Sequence, residues 1–138
     1  MKSVYLDTNI FLYPLLYDNA KAKACKIIIT QIVKKEIKGY TSILTWDELV
    51  YTLSRLVDSE TAKKEGALFL QMPNLEIIDA NKKIVALAQS LVSTYPLKPR
   101  DAIHAATALT HGISEIISDD ADLDKVKELK RIGPERFV

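Results

Sequence analysis

Val4-Tyr5-Leu6-Asp7-Thr8-Asn9, inside the opening run MKSVYLDTNIFLYPL (residues 1–15), places a carboxylate where a buried strand should end. Ser3–Leu6 reads as a short first strand and Asp7 as its exit. Working outward, Tyr40-Thr41, Leu75–Asp79 and Ser114–Ser118 read as three more short strands, and a further edge strand is expected near Ile132. They are short apolar runs without clean in-and-out alternation, as in strands covered on both faces.

Helical patterns fill the gaps between these strands. Over residues 21–38, Cys25, Ile28, Ile29, Ile32 and Ile37 recur near the 3.6-residue period, and Gly39 follows as a stop. A helix from Ser42 or Thr45 would bury Trp46, Leu49, Val50, Leu53 and Leu56. Asp58-Ser59 would cap the next, which runs to about Gln71 before the Pro73-Asn74 turn. Residues 81–95 and 100–112 supply two more, the last ended by Gly112. Strands alternating with helices imply an α/β fold with a short, mostly parallel central sheet and helices on both faces.

The 138 residues fit one domain, 1–138. Apolar residues make up 48% and charged residues 27%, which excludes a disordered chain, and the formal charge of +1 gives no global field for nucleic acid. The lone Cys25 reads as a small core residue. Asp7 interrupts the only N-terminal apolar run, and no stretch approaches the ~18 residues of a membrane span. The expected location is the cytoplasm, with no membrane association.

Four acidic groups fall at strand ends or helix starts. These are Asp7; Glu48 with Asp47 beside it; Asp101; and Asp119, Asp120 and Asp122. Open parallel sheets bind ligands beyond the carboxyl ends of their strands, so all four can meet at one rim. Each also has a purely structural reading. Asp7 suits an Asx-turn, Thr45-x-x-Glu48 a capping box, Asp101 a helix dipole, and Asp119–Asp124 a solvated turn. Periodicity does not choose between Asp47 and Glu48.

Converging carboxylates need a cation, and hard divalent ions take oxygen ligands. Asp120-x-Asp122-x-Asp124 begins like a calcium-binding loop, but the sixth and twelfth positions of such a loop, Gly and Glu, are here Lys125 and Arg131. With His104 and His111 the only histidines, no zinc-ligand spacing is present.

"YLDTNIFLY", "TSILTWDELVYTL", "RDAIHAATAL" and "IISDDADL", in this order, resemble the PIN-domain ribonucleases, above all the toxins of VapBC-type toxin–antitoxin pairs. The resemblance spans essentially the whole chain and implies a three-layer PIN-like fold. It implies catalytic acids Asp7, Glu48, Asp101 and Asp120, and metal ligands Asp7, Glu48, Asp101, Asp120 and Asp122. Thr8, Asn9 and Ser118 would support them, and Asp119 would be a variable neighbour. Leu123 stands where the family often has an aromatic.

The resemblance further implies Mg²⁺ or Mn²⁺ as cofactor, RNA as substrate, a separate antitoxin protein as partner, and a homodimer. Lys98 and Arg100 are candidate phosphate contacts, and Tyr13 and Tyr17 candidates for base stacking or for a core or dimer role. Lys34, Lys35 and Lys38 read as complements to a helix C-terminus. His104, one turn beyond Asp101, reads as a structural donor. The competing functions are a PIN fold that only binds RNA or protein, and an aspartyl phosphatase. The latter usually needs a second Asp where Asn9 stands.

Overall fold

The first strand, β1 (Ser3–Leu6), is apolar on both faces because it is the middle of a sheet. A computed structural model describes residues 1–138. Its chain order is β1, α1 (Thr8–Leu16), α2 (Ala20–Val33), β2 (Lys38–Ser42), α3 (Leu44–Leu56), α4 (Ser59–Leu70), β3 (Leu75–Ile78), α5 (Lys82–Thr94), α6 (Pro99–Thr110) and β4 (Glu115–Ile117). A 3₁₀ turn (Ala121–Lys125), β5 (Lys130–Ile132) and the short α7 (Pro134–Phe137) complete it. The five strands lie in the order β3-β2-β1-β4-β5, and every pairing is parallel. The edge strand expected near Ile132 is therefore present, and a mostly parallel sheet is in fact wholly parallel.

The pleat divides the core in two. Tyr5 and Ile116 face a cluster with Ile84, Leu91 and the alanines of α6. Val4, Leu6 and Ile117 face Ile10, Phe11, Cys25, Ile28, Leu49 and Leu53 on the other side. Cys25 is the small core residue its position suggested. Ala102, Ala105, Ala106 and Ala108 are all fully buried, so α6 lies close on the sheet and carries His104 into the interior. On the other side Gly39 admits no side chain, since an added Cβ would sit 2.5 Å from Ile32 Cδ1.

Three local expectations are corrected, and one element is added. The helix expected over 21–38 ends at Val33, because Lys35 takes the left-handed conformation (φ 62°). Its N–H donates to Ile32 O, and that of Glu36 to Gln31 O, the hydrogen-bond pattern of a Schellman stop. Lysine stands where glycine usually does, while Gly39 lies within β2. Asn74, also left-handed, donates from Nδ2 to the Val33 carbonyl and helps satisfy the same helix end.

The segment after Asp7, to which the sequence pattern assigns no element, is a helix, α1. In α3 the buried residues are Thr45, Leu49 and Leu53, whereas Trp46 is 39% exposed and Leu56 61% exposed. Trp46 instead lies over Gly66 of α4. This rotates the helix relative to the expected stripe. Finally, Thr45 and Glu48 form no capping box. The Leu44 N–H is held by Ser42 Oγ, and both expected cap side chains turn inward to other partners.

Candidate active site

The strand order reverses between β1 and β4, and such a switch point opens a crevice beyond the carboxyl ends. Asp7 leaves β1 there and Ser118 leaves β4. The Asp7 N–H donates to Ile117 O, so the ladder continues one residue into the site. Asp7 is buried yet fully engaged. Oδ1 accepts from the Thr8 N–H (2.8 Å), which makes Asp7 the N-cap of α1. Oδ2 accepts from Ser118 Oγ (2.5 Å) and from Asn9 Nδ2 (3.3 Å). Asn9, at the position where a phosphatase would place its second acid, thus bridges Asp7 and the end of β4.

Glu48 reaches the same place from α3. Its Oε1 lies 2.6 Å from His104 Nε2 and accepts from Thr8 Oγ1 (2.9 Å). Of the two adjacent acids Glu48 joins this network, while Asp47 is exposed. His104 Nε2 also lies 3.6 Å from Asp7 Oδ1, and its Nδ1 is 2.6 Å from Tyr5 Oη. Burial works to depress the His104 pKa. The hydrogen bond to Glu48 and the charge of Asp7 outweigh it, so the pKa is raised and the imidazolium is favoured. Burial likewise works to raise Glu48, but the bonds from His104 and Thr8 win and hold it below the ordinary carboxylate value.

The second group of acids is arranged differently. Asp101 stands in the first turn of α6, where Pro99 fixes the helix start. Asp120 and Asp122 follow β4. Ser118 Oγ accepts the Asp120 N–H and Asp120 Oδ1 the Asp122 N–H, which folds the loop back on itself. Arg131 of β5 pins the loop by donating to Ser118 O and, in bidentate fashion, to Asp124. One carboxylate oxygen from each of Asp101, Asp120 and Asp122 lies within 4.8 Å of the others.

Asp101 Oδ2 is buried with no hydrogen-bond partner. Burial, then the Asp120 and Asp7 charges, push the Asp101 pKa up to about 7. A buried carboxylate with one orphaned oxygen, grouped with two more carboxylates, is a donor set that fits a hard divalent cation. Glu48, Lys98, Arg100, Asp101 and Asp120 line one open cleft of about 660 Å³. The cleft therefore contains both the acids and the two cations singled out as phosphate contacts.

All the expected site residues thus gather at one rim, but in two environments. Asp7 and Glu48 are tied into a hydrogen-bonded network with Thr8, Asn9, Ser118 and His104, with Glu48 also lining the cleft, while Asp101 and Asp120 face the cleft and Asp122, beside them, pairs with Lys125 Nζ (3.2 Å). Tyr5 escaped the sequence reading, although a fully buried tyrosine in an apolar strand must find a polar partner. Thr41 and Thr45 were missed too; their hydroxyls lie 2.7 Å apart beneath Thr8. Asp119 belongs to neither acidic group. Tyr13 Oη donates to it at 2.8 Å and Lys21 Nζ lies 2.9 Å away.

The PIN domain family model matches residues 4–129. No curated protein matches the sequence. Among solved structures, a chain of VapBC2 from Rickettsia felis bound to a promoter DNA fragment is similar at a TM-score of 0.73 and 19% identity, covering 95% of this chain and 98% of that one. FitAcB from Neisseria gonorrhoeae gives 0.72 and 20%, covering 95% and 97%. VapC20 from Mycobacterium tuberculosis, described as a toxin that cleaves the sarcin–ricin loop, gives 0.71 and 15%, covering 88% and 92%.

Proposed function

Because the chain belongs to the PIN-domain family, we propose that it is a metal-dependent endoribonuclease that hydrolyses RNA phosphodiester bonds, and the toxin of a toxin–antitoxin pair. Residues 1–138 would act as one nuclease domain in the cytoplasm. The observation that carries this reading is the Asp101 carboxylate, one of its oxygens buried and unpartnered, gathered with Asp120 and Asp122. Asp101, Asp120 and Asp122 would hold Mg²⁺ or Mn²⁺, with Asp7 and Glu48 completing the acidic site. Such an ion supplies Lewis acidity toward the phosphate and makes water a better nucleophile at neutral pH.

The remaining roles fall to the chain's own residues. Arg100 and Lys98 would draw the phosphate into the cleft. Glu48 Oε1 is committed to His104 and Thr8, which leaves Oε2 to orient the attacking water. Thr8, Asn9 and Ser118 would hold Asp7 against the repulsion of its neighbours. In-line attack by water forms a new P–O bond and breaks the bond to the 3′-oxygen, which departs with a proton. The products are a 5′-phosphate and a 3′-hydroxyl, and no side-chain nucleophile is required.

The partners follow from the same site and the same likenesses. Several similar structures are described as VapBC, FitAB or toxin–antitoxin complexes. A separate antitoxin segment carrying Arg or Lys into the three aspartates would take the place of the cation and exclude substrate. Self-association into a homodimer belongs to the same reading.

The test is cleavage of generic RNA with Mg²⁺ or Mn²⁺, with EDTA, and with Asp101→Asn and Asp120→Asn. Metal-dependent cleavage lost in both variants is expected. Full activity in EDTA would defeat the metal mechanism. Full activity in Asp120→Asn with loss in Asp119→Asn would move the site by one residue.

A further inference from the structure

Next to the acidic cleft is a smaller one of about 230 Å³, where α1 hands over to α2. Tyr13, Tyr17, Asn19, Lys21 and Asp119 line it. The Tyr13 and Tyr17 rings meet edge to face, 5.7 Å apart at 70°. Tyr17 is 52% exposed, and its backbone is held by a hydrogen bond from its N–H to Tyr13 O. Tyr13 Oη and Lys21 Nζ both converge on Asp119, so the floor is fixed and its charges offset each other.

This cleft is joined to the acids through short links. Asp119 directly precedes Asp120. Its N–H donates to Asn9 Oδ1 (3.3 Å), and Asn9 Nδ2 donates to Asp7 Oδ2. The corner is therefore within reach of a strand whose phosphate lies at the acids. What the corner offers is a ring face on a rigid mount, with little net charge.

Resting on the RNA reading above, we propose that this corner is a base-stacking subsite for an unpaired nucleotide beside the scissile phosphate, with Tyr17 as the ring the base covers. Every base has a π-face, so an aromatic platform binds single strands with little sequence preference. A duplex hides those faces within its own stack, so the subsite favours loops and single strands. Lys21 uses one of its donors on Asp119 and is 36% exposed at the side chain, which leaves donors for a neighbouring phosphate. Tyr13 is a positioning residue, since it holds the Tyr17 ring and the Asp119 loop.

The experiment is equilibrium binding of a fluorescein-labelled ten-nucleotide oligoadenylate in excess EDTA, so that no cleavage intervenes. Wild type, Tyr17→Phe, Tyr17→Leu and Tyr17→Ala are compared on this strand and on an abasic strand of equal length. Tyr17→Ala and Tyr17→Leu should each weaken oligoadenylate binding about ten-fold, the order of one lost base–aromatic stack. Tyr17→Phe should stay within about two-fold of wild type. The slope of binding against salt should be the same in all four proteins, because no cation is removed. On the abasic strand the difference should vanish. Equal binding by wild type and Tyr17→Ala, or a difference that persists on the abasic strand, would overturn the subsite and leave the RNA reading standing. A wild type that neither binds nor cleaves RNA would overturn both.

Discussion

Asp7 and Glu48 carry the same charges as Asp101, Asp120 and Asp122, a few ångströms away, but they keep different company. The first pair is neutralised from within. His104, driven into the interior by the alanines of α6, contacts both acids, and Thr8, Asn9 and Ser118 saturate most of their oxygens. In the second group only Asp122 has a cation from the chain, the partly exposed Lys125 Nζ at 3.2 Å; Asp101 and Asp120 form no ion pair, and one Asp101 oxygen is buried without a partner. The chain thus neutralises one half of the site itself and, on the function proposed above, leaves most of the other to an external cation. Pre-organisation and binding are divided between two sets of residues of the same chemical type.

The largest expected effect comes from breaking the completed half. His104→Ala leaves the buried Asp7 and the half-buried Glu48 without their shared partner, and breaking a buried pair in this way typically costs about 3–5 kcal/mol. Its thermal melt should fall far below wild type, and a melt within a degree or two would show that the imidazole is incidental. Next is the open half. Asp120→Asn should lower RNA cleavage by at least about 100-fold, or about 3 kcal/mol of transition-state stabilisation, while the fold persists. Initial rates alongside circular dichroism would check both parts.

A smaller effect separates the halves by pH in metal-free protein. Asp101 has a raised folded pKa, so its favourable contribution is full below its ordinary value and is lost as pH climbs toward about 7. After allowance for solvent screening this is about 1–2 kcal/mol. Glu48, with a lowered pKa, contributes above its ordinary value and less as pH falls. His104, with a raised pKa, contributes below its ordinary value and less as pH rises through the folded one. Asp101→Asn should therefore flatten the decline between about pH 4 and 7 and leave the other two trends in place. Chemical denaturation across that range measures it.

The same contrast explains what could be read from sequence. The strand ends were legible because Leu6-Asp7 and Ile117-Ser118 break apolar runs abruptly, and a parallel sheet sends such breaks to one rim. The grouping of the acids was legible for that reason. Their division into two environments was not, because it depends on a contact between His104 of α6 and Glu48 of α3, 56 positions apart. Glu48 itself was obscured by Trp46, a large apolar residue that suggested the wrong helix face. The end of α2 was hidden because Lys35, not glycine, adopts the left-handed turn. Side-chain size and residue preference misled at those points, and only packing resolves them.

The division of the site is tested most directly by thermal melts of wild type and Asp101→Asn, each in EDTA and in excess Mg²⁺. In EDTA the variant should melt at or above wild type, by about 1 kcal/mol in stability, because one charge has left a repelling cluster. In Mg²⁺ the order should reverse. Wild type should gain about 2.7 kcal/mol at a hundred-fold excess over the dissociation constant, and the variant clearly less. A variant that melts well below wild type in EDTA, with no difference in Mg²⁺ response, would make Asp101 a structural residue of the α6 start and contradict the division.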